Sequence, residues 1–205
     1  MAGQIGADFV KRDRDARSMV RVVVGMTGAS GAIYGVRLLM ALRTMAVETH
    51  LVLTPPAEIT LEQEMRMKPE TVRSLADHAY DPRDLSAPIA SGSFVTAGMI
   101  VAPCTVKTLS AIAHSHADTL LTRAADVMLK EGRPLILVVR EAPLHLGHLR
   151  LMVQAAEIGA VIFPPVPAFY THPATIEEMV DQSVGRMLLR LGIPNDLYRP
   201  WEGPA

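Results

Sequence analysis

The chain has 205 residues, 49% hydrophobic and 20% charged, which is enough apolar material for one packed domain and too much for a disordered chain. Twenty Lys and Arg against 21 Asp and Glu leave a net charge of −1, so no basic excess marks a nucleic-acid partner. A single cysteine, Cys104, excludes an internal disulfide and a cysteine-based zinc site.

Residues 1–19 mix both charge signs and lack an apolar run, so they read as a flexible N-terminal tail rather than a signal peptide, with a single domain over 20–205. The β-branched run 20–25 predicts a buried strand and 32–45 a helix. A second strand is expected over 51–53, led in by Glu48, Thr49 and His50, followed by helices over 57–67 and 69–78. The uncharged run 85–106 has the length of a membrane span, but its prolines, glycines and serines suit strand and loop, and a cytoplasmic location with no membrane contact follows. Within it, 98–102 predicts a third strand, and 105–113 a helix after it. A helix over 120–131 has Asp118 as its N-cap and Gly132 as its stop. A fourth strand is expected over 135–139, a helix opening on Pro143 over 143–158, and a fifth strand over 160–163. Pro164 to Pro167 reads as a stiff loop, and Thr175 to Glu178 as a capping box that opens the last helix, to about residue 191. Apolar strands alternating with helices give an α/β fold whose parallel sheet is covered by helices on both faces.

In such sheets ligands sit beyond the carboxyl ends of the strands, and polar residues follow all five expected strand ends. The first of these loops, GMTGASG, places glycines before a helix, a pattern that cradles phosphate, although a ligand-free tight turn has the same look. Thr27 and Ser30 stand where G-x-G-x-x-G needs glycine, no Walker Gly-Lys-Ser/Thr follows, and no acidic residue closes the second strand. A mononucleotide such as FMN therefore fits better than NAD. Arg123 and Lys130 are seven apart, about 20° round a helix, and share a face with Leu120 and Val127. That pair suits a phosphate or a solvated stripe equally. Arg140 and Glu141 directly follow a strand buried on both faces, which calls for a ligand or a structural ion pair. Arg186, on the margin of an apolar helical stripe, is by itself an ordinary surface arginine. The pairs His114/His116 and His145/His148 lack the three or four ligands a metal needs, so no metal is expected. Cys104 has no activating histidine nearby and reads as a small buried residue.

The segments GMTGASGAIYGVRLL, IASGSF, PCTVKTLS, LLTRAADVMLKEGRPL, REAPLHLGHLRLM and PAFYTHP closely resemble the UbiX-type flavin prenyltransferases, from about Val20 to Trp201. The resemblance implies a flavodoxin-like three-layer α/β sandwich, usually assembled as a homo-dodecamer. It implies a metal-independent reaction that joins reduced FMN to dimethylallyl phosphate at flavin N5 and C6, giving prenylated FMN for a partner UbiD-type decarboxylase. By that resemblance Gly28, Ala29, Ser30, Thr54, Thr105, Val106, Lys107, Thr108 and Arg140 meet FMN. Tyr170 and Arg186 hold the substrate phosphate, with Arg123, Lys130 and Arg140 beside them, and Ser30, Glu64, Lys130 and Glu141 are the catalytic candidates. Trp201 falls at a position linked to the site in some members. Pro55-Pro56 stand where the family has Lys-Ala, and Leu85 where some members have Trp. The rival readings are an FMN-dependent cysteine-type decarboxylase, whose helix histidine has no counterpart between Leu51 and Asp77, and a flavin carrier without catalysis.

Overall fold

The computed structural model describes residues 20–203; the tail expected over 1–19 lies outside the described residues. Six strands form one parallel sheet: β1 (Arg21–Met26), β2 (Glu48–Leu53), β3 (His78–Tyr80), β4 (Gly98–Cys104), β5 (Leu135–Val139) and β6 (Val161–Ile162). Their order is β3-β2-β1-β4-β5-β6. With the short edge strand β3 set aside, this is the flavodoxin-like order, and the chain reverses its direction of travel between β1 and β4.

Among the described residues, seven helices cover the sheet: α1 (Ala32–Thr44), α2 (Pro55–Met65), α3 (Pro69–Arg73), α4 (Val106–Ala113), α5 (Leu120–Lys130), α6 (Leu146–Glu157) and α7 (Ile176–Arg190). Alternation along each strand splits the core in two. Val22, Val24, Ile100 and Ile136 face α1, α2 and α7. Val23, Met99, Val101 and Leu137 face α4, α5 and α6. These strand residues are fully buried, each worth about 1.5–3 kcal/mol of transfer free energy. α1 lies close against the sheet because Gly35 leaves room: a Cβ there would stand 2.4 Å from the Ala102 carbonyl oxygen and 2.6 Å from Met26 Cε.

The structure departs from the sequence-based expectation at several points. Helix over 69–78 is not formed: α3 ends at Arg73 and the chain turns into β3. The Asp77 carboxylate accepts from Thr49 N–H (2.8 Å) and Thr49 Oγ1 (2.9 Å), which holds this segment beside β2. The N-cap of α5 is Thr119 rather than Asp118; it shares a capping box with Thr122. Pro143 follows a cis Ala142–Pro143 peptide in a turn, and α6 begins at Leu146 with His145 Nδ1 accepting from Gly147 N–H. At the start of α7, Thr175 accepts from Glu178 N–H, but the Glu178 carboxylate turns back to Ala174 N–H, not to its own cap residue. The fifth expected strand shrinks to the two residues of β6 at the sheet edge. Residues 85–106 supply a 3₁₀ turn (Pro88–Ala90), a loop and β4; no helix among the described residues is long and apolar enough to cross a membrane.

Candidate active site

The carboxyl ends of β1, β2 and β4 open on a cleft of about 1120 Å³. Thr27, Gly28, Thr54, Thr105, Lys107 and Thr108 form its inner wall, and Tyr80 to Arg83 with His116 to Thr119 supply outer parts. It sits at the β1/β4 reversal point, where an open α/β sheet binds its ligand.

Thr27, buried at the end of β1, ties the inner wall together. Its Oγ1 donates to the Pro103 carbonyl (2.8 Å) and accepts from Thr105 N–H (2.8 Å), so the loops after β1 and β4 move as one body. Gly28 passes so close to α2 that a Cβ would lie 2.5 Å from Pro56 Cβ. Gly31, at φ 99°, takes the left-handed turn into α1. Thr54 is extended and caps α2 with Pro55 and Pro56 in the first turn, two residues earlier than expected for this helix; its Oγ1 donates to Met26 O (3.1 Å) and keeps its lone pairs for the cleft.

Four helix N-termini border this region, and three are already engaged: at α5 the Thr122 amide bonds Thr119 Oγ1 and the Leu120 amide bonds Pro82 O. At α1 the Glu64 carboxylate accepts from Gly31 N–H (2.9 Å) and Ala32 N–H (3.0 Å), so an anion site in the glycine loop, as GMTGASG suggests, is filled from within the chain. At α2 the first two residues are prolines without N–H groups, and the amides of Ala57 and Glu58 are bonded to Thr54 O. At α4 Thr105 caps the amide of Thr108 (3.2 Å), while the first-turn amides of Val106 and Lys107 have no partner within the helix. This terminus, with Thr54, Lys107 and Thr108 around it, is the one built to receive an anion.

Ser30, Glu64 and Arg140 come together beside the cleft. Burial pushes the Glu64 carboxyl up, but hydrogen bonds from Ser30, Ala32 and Gly31 and the charge of Arg140 outweigh it and hold the group below the usual carboxylate range. Burial pushes the Cys104 thiol up to about 12, which removes it as a nucleophile.

The remaining charged candidates do not gather in one place within a chain. Arg123 and Lys130 stand on α5, over the β4/β5 side of the core. Arg123 Nε donates to Ala90 O (3.1 Å) and its Nη1 to Asp126 (2.6 Å); Lys130 pairs with Glu131. Tyr170 and Arg186 belong to the opposite face, with α7. Tyr170 Oη donates to Arg199 O (2.7 Å) and accepts from Gln182 Nε2 (3.0 Å), and Arg186 lies over the Tyr198 ring at 5.0 Å. Partial desolvation and a bond with Tyr198 push the Tyr170 phenol up, and Gln182 and the Arg186 charge oppose them. Trp201 packs edge-on to Tyr170 at 5.5 Å between ring centroids. Glu141 is exposed past β5, its carboxylate accepting from Ala142 N–H. Neither expected histidine pair gathers a third ligating side chain among the described residues.

The family model described as Flavoprotein matches residues 10–187. The flavin prenyltransferase UbiX of Salmonella typhimurium is 58% identical over 188 residues, covering 90% of this chain and all of that protein. The chain belongs to the UbiX flavin prenyltransferase family. The crystal structure of AnUbiX in complex with FMN and dimethylallyl pyrophosphate has a TM-score of 0.88 at 50% identity, covering 91% of this chain and 99% of that one. A dodecameric FMN-dependent UbiX-like decarboxylase from Escherichia coli O157:H7 has a TM-score of 0.86 at 49% identity, covering 90% of this chain and all of that one. The cypemycin decarboxylase, at 15% identity and a TM-score of 0.60, shares the fold alone.

In this chain Pro55-Pro56 start α2 early, and Thr54 lines the cleft. Leu85 is half exposed on the loop after β3. Sequence reasoning overlooked Thr27 as the residue that locks the two inner loops; its place directly after the first strand was the available signal. It also overlooked the outer wall from Tyr80 to Arg83, because β3 was not recognised.

Proposed function

We propose that the chain is a flavin prenyltransferase that joins reduced FMN to dimethylallyl phosphate and releases prenylated FMN. The observation that carries this reading is the helix terminus at α4, whose Val106 and Lys107 amides have no partner within the helix, ringed by Thr54, Lys107 and Thr108 at the mouth of a flavin-sized cleft. The FMN phosphate sits on the Val106 and Lys107 amides, where the helix dipole and the Lys107 charge both favour it. Gly28 and Ala29 let the flavin pass close to the backbone. Ser30, Glu64 and Arg140 then lie beside the ring system rather than at the phosphate.

In the reaction the C1′–oxygen bond of dimethylallyl phosphate breaks with phosphate leaving, and C1′ bonds to flavin N5 as N5 gives up its proton; the C2′=C3′ double bond then takes up a proton at C2′ and C3′ bonds to C6, which gives up its proton in turn. The leaving phosphate carries growing negative charge, and Tyr170, Arg186, Arg123 and Lys130 supply donors and positive charge for it. Ser30 and Glu64, neighbours at the start of α1, are the groups proposed to move a proton next to the flavin, with Glu141 as the further candidate. Because Arg123 and Lys130 lie on the other face from Tyr170 and Arg186, the phosphate pocket is completed by neighbouring copies in a homo-oligomer, a dodecamer by kinship. The outer face of α6 suits such packing: Leu146, Leu149 and Val153 are 45–60% exposed and only Ala155 of the helix is buried. The product goes to a UbiD-type decarboxylase in the cytoplasm.

The test is anaerobic incubation of the protein with reduced FMN and dimethylallyl phosphate, with the diphosphate in parallel. A flavin heavier by one isoprene unit is expected, and the parallel arm identifies the leaving group. Unmodified flavin with both donors contradicts the proposal.

A further inference from the structure

The edge of the sheet away from β6 carries a side-chain cluster that prenyl transfer does not use. Glu48 and His50 are two apart on β2, so both project from one face of the sheet. His78, the first residue of β3, is the in-register partner of His50. Glu48 Oε1 stands 3.1 Å from His50 Nε2 and 3.5 Å from His78 Nε2. The three ligating atoms all lie within 4.8 Å of one another. Metal bonds of about 2.0–2.2 Å at tetrahedral angles put neighbouring ligand atoms about 3.4 Å apart, and the two carboxylate–imidazole distances straddle that value.

The surroundings fix two of the three groups. His50 is 2% exposed, packs edge-on to Phe94 at 5.0 Å, and has its Nδ1 2.9 Å from the Tyr80 hydroxyl. With Nδ1–H donating to Tyr80, the Nε2 lone pair is turned towards Glu48, as the outer partner of a ligating histidine does. Arg21 Nε holds Glu48 Oε2 at 3.0 Å and leaves Oε1 as the ligand. His78 is the adjustable member: its side chain is 52% exposed and stacks on His50 at 4.9 Å between centroids, so a small swing closes the third edge. A hollow of about 380 Å³, lined by Arg43, Val47, Glu48, Asp77 and His78, opens on the cluster and gives an ion a way in and room for a water as fourth ligand.

We propose that Glu48, His50 and His78 form a zinc-binding site that clips the three-residue edge strand β3 to β2. Two imidazoles and one carboxylate suit Zn²⁺ rather than Mg²⁺ or Ca²⁺, which favour all-oxygen shells. The site is structural and stands apart from the transfer chemistry: His50 pairs in register with Val23 in the middle of β1, below the strand ends that line the cleft.

The test uses the full chain, freed of affinity tags and stripped with chelator, titrated with Zn²⁺ alone. One equivalent per chain should bind, the thermal midpoint should rise, and X-ray absorption should show nitrogen and oxygen neighbours at about 2.0–2.1 Å. His78→Ala and Glu48→Gln should each weaken binding by about tenfold or more and cancel the midpoint rise. His78 is exposed, so its variant keeps the fold even if the loss of the Arg21 partner damages Glu48→Gln. His145→Ala, in the other close histidine pair, should bind zinc as the parent does. Absence of binding by the parent, or zinc affinity and midpoint rise unchanged in His78→Ala, overturns the assignment.

Discussion

At the residue scale the account turns on Glu64 and Arg186. Glu64 bonds the amides at the start of α1 and is held below the ordinary carboxylate range. The native state then binds a proton less readily than the unfolded chain, so this contribution to stability is complete above the unfolded value of about 4.3 and is lost as pH falls through the folded value. Glu64→Gln should therefore be less stable than the parent at neutral pH, and the gap should close on acidification below about pH 4, read from urea midpoints across pH. A gap that stays constant through that range contradicts the role. Arg186 lies over the Tyr198 ring, donates from Nη1 to Tyr198 Oη (3.3 Å), and is close enough for its charge to act on Tyr170. Arg186→Ala should lose about tenfold to hundredfold in use of dimethylallyl phosphate, with FMN affinity unchanged, because a charge-assisted hydrogen bond disappears from one substrate only. Steady-state kinetics and flavin titration on the same preparation separate the two; an equal loss of FMN binding would falsify the assignment.

At the scale of elements, packing against the sheet decides what is tolerated. Gly35 sits where α1 crosses β4, and a Val there would drive its Cβ into the Ala102 carbonyl oxygen and Met26. Gly35→Val should cost about 1–3 kcal/mol, measured by denaturant unfolding; no loss would mean that the helix can lift off the sheet without penalty. The long buried strands were readable from their β-branched runs, and β5 lies where the run Leu135–Val139 predicts it. β3 was not, because its pairing depends on an Asp77–Thr49 clamp between residues 28 apart in the sequence. For the same reason GMTGASG announces a nucleotide-type loop but not which helix end takes the phosphate. Glu64, 33 residues from Gly31, fills the α1 terminus, and only the fold reveals that α4 is left open.

At the scale of the whole molecule, the residues proposed for the substrate phosphate belong to opposite faces of the sheet, and the proposed assembly brings them together. The sequence singles out Arg123 and Lys130, and the resemblance adds Tyr170 and Arg186 with a shared purpose, but only the division of the core puts the two sets with opposite faces of one sheet. In the proposed pocket the two sets reach one phosphate from different copies of the chain. The most direct measurement is prenyl transfer by mixed oligomers, made by co-expressing Lys130→Ala with Arg186→Ala. Each variant alone should be nearly inactive. In randomly mixed assemblies about a quarter of the sites should draw an intact residue from each chain, and activity should return in that proportion. If Lys130 and Arg186 of a site came from the same chain, every site would carry one defect, and mixed oligomers no more active than the separate variants would contradict a pocket shared between subunits.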